Sequence, residues 1–142
     1  TSLTLQSVFE ALETLDVNFN GMILKPNMVI SGYECSTKAS PDEVANATVE
    51  CLEKNVPQSV PGIAFLSGGQ SDEDATNHLN LINKNSKNSW KLTFSYGRAL
   101  QQGAMKKWSG EEKNIAEAQK IISKRAELNS LAASGKYSEK LE

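Results

Sequence analysis

Lys25 closes the apolar run Met22-Ile23-Leu24 and is followed by Pro26 and Asn27. A lysine that ends a short buried strand, with its ammonium facing an enclosed cleft, loses hydration, and that loss favours the neutral amine. A neutral amine attacks carbonyl carbon, so Lys25 is the candidate nucleophile for Schiff-base chemistry. Such a lysine, acting on a small sugar, needs a phosphate anchor nearby. In Phe65-Leu66-Ser67-Gly68-Gly69-Gln70-Ser71 an apolar run stops at a Gly-Gly turn and a helix is expected to follow. Ser67, Gly68 and Gly69 would there offer backbone N–H groups to an anion, helped by the helix dipole. The second anchor is Phe94-Ser95-Tyr96-Gly97-Arg98. Here Ser95 and Gly97 sit at a strand end, and Arg98 can hold phosphate oxygens in a bidentate fork. Taken singly, each signal has a plainer reading: a snorkelling lysine, a turn that caps a helix, an arginine in a surface ion pair.

The elements that would position these groups alternate. Leu5, Val8, Leu12 and Leu15 recur at helical spacing over about residues 3 to 16, and that first helix is either core or subunit interface. Gly21 to Lys25 reads as a short buried strand. Ser40-Pro41-Asp42-Glu43 combines an N-cap serine, a proline in the first turn and a capping-box glutamate, so a helix should run to about Asn55, with Val44, Thr48, Cys51 and Leu52 facing inward and Pro57 ending it. Val60 to Leu66 is the second strand, with Pro61 and Gly62 at its entry. Ser71-Asp72-Glu73-Asp74 opens the next helix, where Leu79 and Ile82 face inward. Trp90 to Tyr96 is the third strand, and a helix then leads from Gly97-Arg98 to about Lys107. Ser109-Gly110-Glu111-Glu112 reads as a third capping box before a long helix, marked by Ile115, Ala118, Ile122 and Arg125, that reaches about Ala133. One helix, three strand-helix units and a final helix imply a parallel sheet. Three parallel strands leave long unpaired edges, and all three chemical signals fall at C-terminal strand ends, where a parallel barrel builds its active site. The chain therefore reads as part of a barrel.

At 142 residues and 39% hydrophobic content the chain can bury one core. Fifteen Lys+Arg against 17 Asp+Glu leave a net charge of -2, which points to neither a nucleic-acid nor a polybasic membrane partner. No apolar run has the roughly 18 residues needed to span a bilayer. The opening Thr1-Ser2-Leu3-Thr4 has no basic or long apolar stretch of a secretory signal, so a cytoplasmic setting is expected. The absence of an initial methionine fits a piece of a longer chain. Cys35 and Cys51 lack metal-ligand spacing and read as free thiols on a loop and a helix, so no metal is expected. His78 reads as an ordinary surface or half-buried histidine. Trp90 and Trp108 read as packing anchors, and Lys106-Lys107 and Lys120 to Arg125 as solvated helix faces.

With the strand ends located, the chain resembles the C-terminal part of class I fructose-bisphosphate aldolases. The resemblance rests on Leu24-Lys25-Pro26-Asn27-Met28-Val29, Phe65 to Ser71, and Leu92-Thr93-Phe94-Ser95-Tyr96-Gly97-Arg98-Ala99-Leu100. It continues through Arg125-Ala126-Glu127-Leu128-Asn129-Ser130 and Gly135-Lys136-Tyr137. It implies a cytoplasmic homotetrameric TIM (β/α)8-barrel lyase of glycolysis that needs no cofactor. Residues 1–142 would be a partial barrel domain lacking its N-terminal part: the last three βα units, strands six to eight, plus a terminal helix. The substrate would be fructose 1,6-bisphosphate, cleaved to dihydroxyacetone phosphate and glyceraldehyde 3-phosphate. Lys25 matches the Schiff-base lysine. Ser67, Gly68 and Gly69 match one phosphate-binding turn, and Ser95, Gly97 and Arg98 match the second phosphate-binding element. The family's acid-base carboxylates, further lysines and other phosphate site lie on earlier strands that this sequence does not include. The end at Leu141-Glu142 resembles the shorter bacterial type.

Neutral Lys25 would add to the ketose carbonyl and lose water, and the resulting iminium would take up the electrons released when the adjacent carbon–carbon bond breaks. Phosphate held by Arg98 and the glycine turn would keep the reacting carbon against the amine. Two other readings stay open: another Schiff-base phosphosugar lyase, such as a transaldolase-like barrel, and a catalytically incomplete fragment that keeps phosphosugar or protein binding. The motifs argue against the transaldolase-like case.

Overall fold

A computed structural model describes all 142 residues, Thr1–Glu142. Helix α1 (Ser2–Thr14) and a 3-10 turn (Phe19–Gly21) lead into β1 (Ile23–Leu24). Then follow α2 (Pro41–Asn55), β2 (Gly62–Phe65), α3 (Asp72–Asn85), β3 (Lys91–Phe94), α4 (Arg98–Trp108) and α5 (Ile115–Ala132). Two of the expected starts form by capping. The Ser40 hydroxyl accepts from the Glu43 amide while the Glu43 carboxylate accepts from the Ser40 amide, and Ser71 accepts from the Asp74 amide. The third expected box does not form. Ser109 and Gly110 adopt positive φ and terminate α4, and α5 starts only after a 3-10 turn (Glu112–Asn114).

The three strands are parallel and ordered β1-β2-β3, with Leu24 beside Ile63, Ile63 beside Leu92, and Phe65 beside Phe94. Registered residues of a sheet share a face. Leu24, Ile63 and Leu92, then Phe65 and Phe94, form the face covered by helices, and they join a core with Met28, Leu79, Ile82 and Leu128. The sheet packs against helices on this face only. The opposite face, which carries Ile23, Lys25 and Thr93, has no helix over it, and Ile23 is 61% exposed. β1 is thus an edge strand of two residues rather than a buried one.

Further expectations change for similar reasons. On α1 the buried positions are Leu5 and Phe9, with Leu12 half-buried, whereas Val8 and Leu15 face solvent. Phe9 stacks edge-on against Phe19, ring centroids 5.4 Å apart, on the buried side of the helix. Trp90 is buried and donates to the Pro57 carbonyl, but Trp108 is 46% exposed and anchors little. Arg125 is no solvated residue. Its side chain is 11% exposed and donates to both carboxylate oxygens of Glu142, at 2.7 and 2.8 Å, and to the Thr76 hydroxyl. Cys35 is exposed and Cys51 half-buried, both as free thiols. No helix is long and apolar enough to cross a membrane.

Candidate active site

Backbone hydrogen bonds carry the sheet one step past its strands. The Leu66 amide donates to the Pro26 carbonyl at 3.0 Å and the Ser95 amide to the Phe65 carbonyl at 2.8 Å, so the segments after all three strands start level with one another. Lys25 follows Leu24 and projects onto the open face, since successive strand residues alternate sides. It is exposed. The enclosed, dehydrated setting expected for its ammonium is not built by these residues, because β1 is an edge and its open face has no covering layer. The stretch behind it is nevertheless pinned: Met28 is fully buried, and the Val29 amide donates to the Thr48 hydroxyl at 2.9 Å.

After β2 the chain turns at Ser67 to Gln70, closed by the Gln70 amide donating to the Ser67 carbonyl. Ser67 is buried, and Gly69 sits at φ +82°, a backbone that glycine adopts without strain. After β3, Tyr96 donates through its hydroxyl to the Ala75 carbonyl at 2.8 Å, and burial pushes its phenol pKa up. This bond ties the Ser95–Gly97 segment to the start of α3, beside the Ser67 turn.

The two segments meet. Ser67, Gly69 and Arg98 line one cleft of about 240 Å³ together with Tyr33, Gln70 and Gln102. Gly68, Ser95, Gly97 and Lys25 do not line it, although Ser95 and Gly97 flank Arg98 in sequence and are exposed. Arg98 takes part in no ion pair, so its fork is available to an anion. The dipole contribution differs from the expected one. The N-terminus of α3 is already capped by Ser71 and carries Asp72, Glu73 and Asp74 in its first turn, which oppose an anion. At α4 the cap is Gly97, without a side-chain acceptor, and no acidic residue lies in the first turn. The helix favouring an anion in the cleft is therefore α4.

Three lining residues lacked a role in the sequence reading. Gln102 lies one turn beyond Arg98 on the same helix face, a spacing that marks it as a neighbour. Gln70 directly follows the glycine pair. Tyr33 comes from the loop between β1 and α2, and nothing local in the sequence signals its return to the cleft. His78 is also more enclosed than expected: it is 7% exposed, with Nδ1 2.7 Å from Gln70 Oε1. Burial lowers its pKa, against a smaller opposing pull from Asp74.

Comparison with known proteins gives one consistent family. The family model "Glycolytic: Fructose-bisphosphate aldolase class-I" matches residues 1–142. The chain is 49% identical over 137 residues to fructose-bisphosphate aldolase 2 of Plasmodium berghei. It is 51% identical over 138 residues both to fructose-bisphosphate aldolase B of Sparus aurata and to a probable fructose-bisphosphate aldolase class 1 of Xylella fastidiosa. These matches take in 96% of this chain but 37%, 38% and 41% of the respective relatives, so the chain spans about two fifths of their length. A solved structure of fructose-bisphosphate aldolase from Plasmodium falciparum, in complex with TRAP and a small-molecule inhibitor, superposes with a TM-score of 0.93 at 47% identity. It covers 96% of this chain and 40% of that one. The three βα units are part of that TIM-barrel architecture.

Proposed function

The chain belongs to the class-I fructose-bisphosphate aldolase family, and we propose that it supplies the carbonyl-attacking lysine and one phosphate anchor of an enzyme that cleaves fructose 1,6-bisphosphate. Residues 1–142 are in this reading the last three βα units and terminal helix of a barrel domain. Lys25 adds to the ketose carbonyl, water leaves, and the iminium accepts the electron pair of the breaking carbon–carbon bond. The products are dihydroxyacetone phosphate, released when water hydrolyses the Schiff base, and glyceraldehyde 3-phosphate. The proton steps belong to carboxylates on strands outside this segment. A cytoplasmic homotetramer is the assembly this reading carries with it.

The observation that supports it most is the convergence of Ser67, Gly69 and Arg98 on one cleft at the strand ends where Lys25 also lies. Ser67 and Gly69 come from the turn after β2, and Ser95, Gly97 and Arg98 from the segment after β3, with Gly68 between the first pair. A phosphate held there uses binding energy remote from the reacting carbon to keep that carbon against the amine. Exposure of Lys25 favours a second reading for residues 1–142 taken alone: phosphosugar binding without bond cleavage.

Borohydride reduction in the presence of dihydroxyacetone phosphate separates the two. On the full-length protein, intact mass should rise by one reduced adduct, and peptide mapping should place it on Lys25. The Lys25→Met protein should stay unmodified. An adduct on another lysine, or none in a folded full-length sample, would remove the assignment of Lys25. An adduct in the full-length protein but not in the isolated segment, which still binds the phosphosugar, is the outcome of the second reading.

A further inference from the structure

The cleft that holds Arg98 has polar lining residues to which the reading above gives no task. Gln70 adds no side-chain donor, because its Oε1 is 2.7 Å from His78 Nδ1 and its Nε2 is sealed from solvent. Tyr33 and Gln102 remain. No carboxylate lies in the wall, so an anion meets only donors and the guanidinium there.

Tyr33 is 89% exposed, and packing of its ring does not account for its position. Its loop is nevertheless fastened. Lys38 Nζ donates to the Gly32 carbonyl at 2.7 Å and to the Tyr33 carbonyl at 3.2 Å. The Cys35 amide donates to the Gly32 carbonyl at 3.2 Å, and the Ala39 amide to the Ser31 hydroxyl at 2.9 Å. The same loop is seated on the glycine turn. A Cβ built on Gly69 would stand 2.9 Å from Ile30 Cδ1 and 3.8 Å from the Tyr33 hydroxyl oxygen. That hydroxyl therefore lies against the turn that walls the cleft, while the bond holding Tyr33 is made by its carbonyl. A donor already fixed in place loses little freedom when a ligand arrives.

Resting on the reading of this cleft as a phosphate anchor, we propose that Tyr33 is a further binding residue for the substrate phosphate. Its hydroxyl donates to a phosphate oxygen that Arg98 and the Ser67–Gly69 turn leave unbound, and Lys38 is the positioning residue that holds it there. Donors then come from three separate segments: the loop between β1 and α2, the turn after β2, and the start of α4. Approach from three segments suits a tetrahedral anion, whose free oxygens outnumber those that one arginine fork engages.

The probe is inorganic phosphate, titrated calorimetrically into the full-length protein. The binding component that Arg98→Met abolishes is the one belonging to this cleft. Tyr33→Phe removes the hydroxyl alone and, with the ring exposed, leaves the fold intact. In that variant the component should weaken about tenfold, the usual scale for a hydrogen bond to a charged group, at unchanged thermal midpoint. For fructose 1,6-bisphosphate kcat/KM should fall by a similar factor. Lys38→Met should weaken the same component, and the double variant should bind no worse than Tyr33→Phe, because Lys38 acts through Tyr33. Additive losses would instead assign Lys38 a charge effect of its own and overturn its positioning role. Wild-type phosphate affinity in Tyr33→Phe, or phosphate binding undiminished by Arg98→Met, overturns the proposal. The titration needs no turnover. A full Tyr33→Phe effect in a protein that forms no adduct on Lys25 overturns the aldol reading alone, and an adduct on Lys25 with no Tyr33→Phe effect overturns this proposal alone.

Discussion

Gly69 carries a constraint that a larger residue cannot meet. At φ +82° an L side chain is strained, and its Cβ would come within 2.9 Å of Ile30 Cδ1. Gly69→Ala should cost about 1–3 kcal/mol, read as a drop in denaturation midpoint at unchanged m value, and a midpoint equal to wild type would show that the turn relaxes freely. His78 gives a pH prediction whose sign follows from its lowered pKa. The unfolded chain takes up a proton near the ordinary histidine value of about 6.5, while the folded chain resists it. The stabilising contribution is therefore complete above that pH and fades as pH falls towards the folded pKa. Wild type should lose more thermal stability between pH 7.5 and 5 than His78→Gln does. Equal losses would mean that the buried imidazole is not the group responsible. Residue types revealed the glycine turn and the arginine in the sequence, but not the burial of His78, since its neighbours Asn77 and Asn80 gave the stretch a polar look.

Between residue and sheet, the decisive tether is the one from α2 to the chain behind Lys25. Thr48 is buried on α2, donates to the Val44 carbonyl at 2.7 Å and accepts from the Val29 amide at 2.9 Å. Thr48→Val keeps the shape but strands that amide, so stability should fall by about 1–3 kcal/mol, with Thr48→Ser recovering most of it. If valine is tolerated as well as serine in urea denaturation, the tether is not holding the segment. Capping chemistry made α2 and α3 legible in sequence because a serine and an acidic residue three positions on satisfy local donors wherever the helix sits. The same pattern at Ser109 misled, since Gly110 beside it favours the left-handed turn that ends α4. On α1 the period alone put Leu5, Val8, Leu12 and Leu15 on one stripe as core or subunit interface; within this chain Leu5 and Phe9 pack inward, Phe9 against Phe19, and Val8 and Leu15 stay exposed.

At the scale of the whole chain, Arg125 gathers distant parts. It joins α5 to Thr76 on α3 and to Glu142, whose carboxylate also accepts from the Tyr137 hydroxyl at 2.7 Å. Burial pushes the Glu142 pKa up, yet the bonds from Arg125 and Tyr137 outweigh it and the net shift is downward. A lowered carboxylate pKa stabilises the fold above the unfolded value of about 4.3, and that contribution is lost as pH falls through the folded one. Arg125→Met should then cost about 1–3 kcal/mol at pH 7 and less at pH 3.5, with thermal melts at the two values as the check. An equal penalty at both would assign the effect to packing alone.

The sequence by itself determined the order of helices and strands, the parallel sense of the sheet, the two caps, and the three motifs that place the chain among the aldolases, because these depend on local chemistry and on spacing along the chain. Tertiary structure decided what spacing does not encode. It brought Ser67, Gly69 and Arg98 to one cleft with Tyr33 and Gln102, turned Arg125 from a surface cation into a buried link, and left Lys25 exposed on the uncovered face of the sheet. Burial and the meeting of remote segments are properties of the surfaces packed around a residue, and for Lys25 the residues of this chain leave one of those surfaces open.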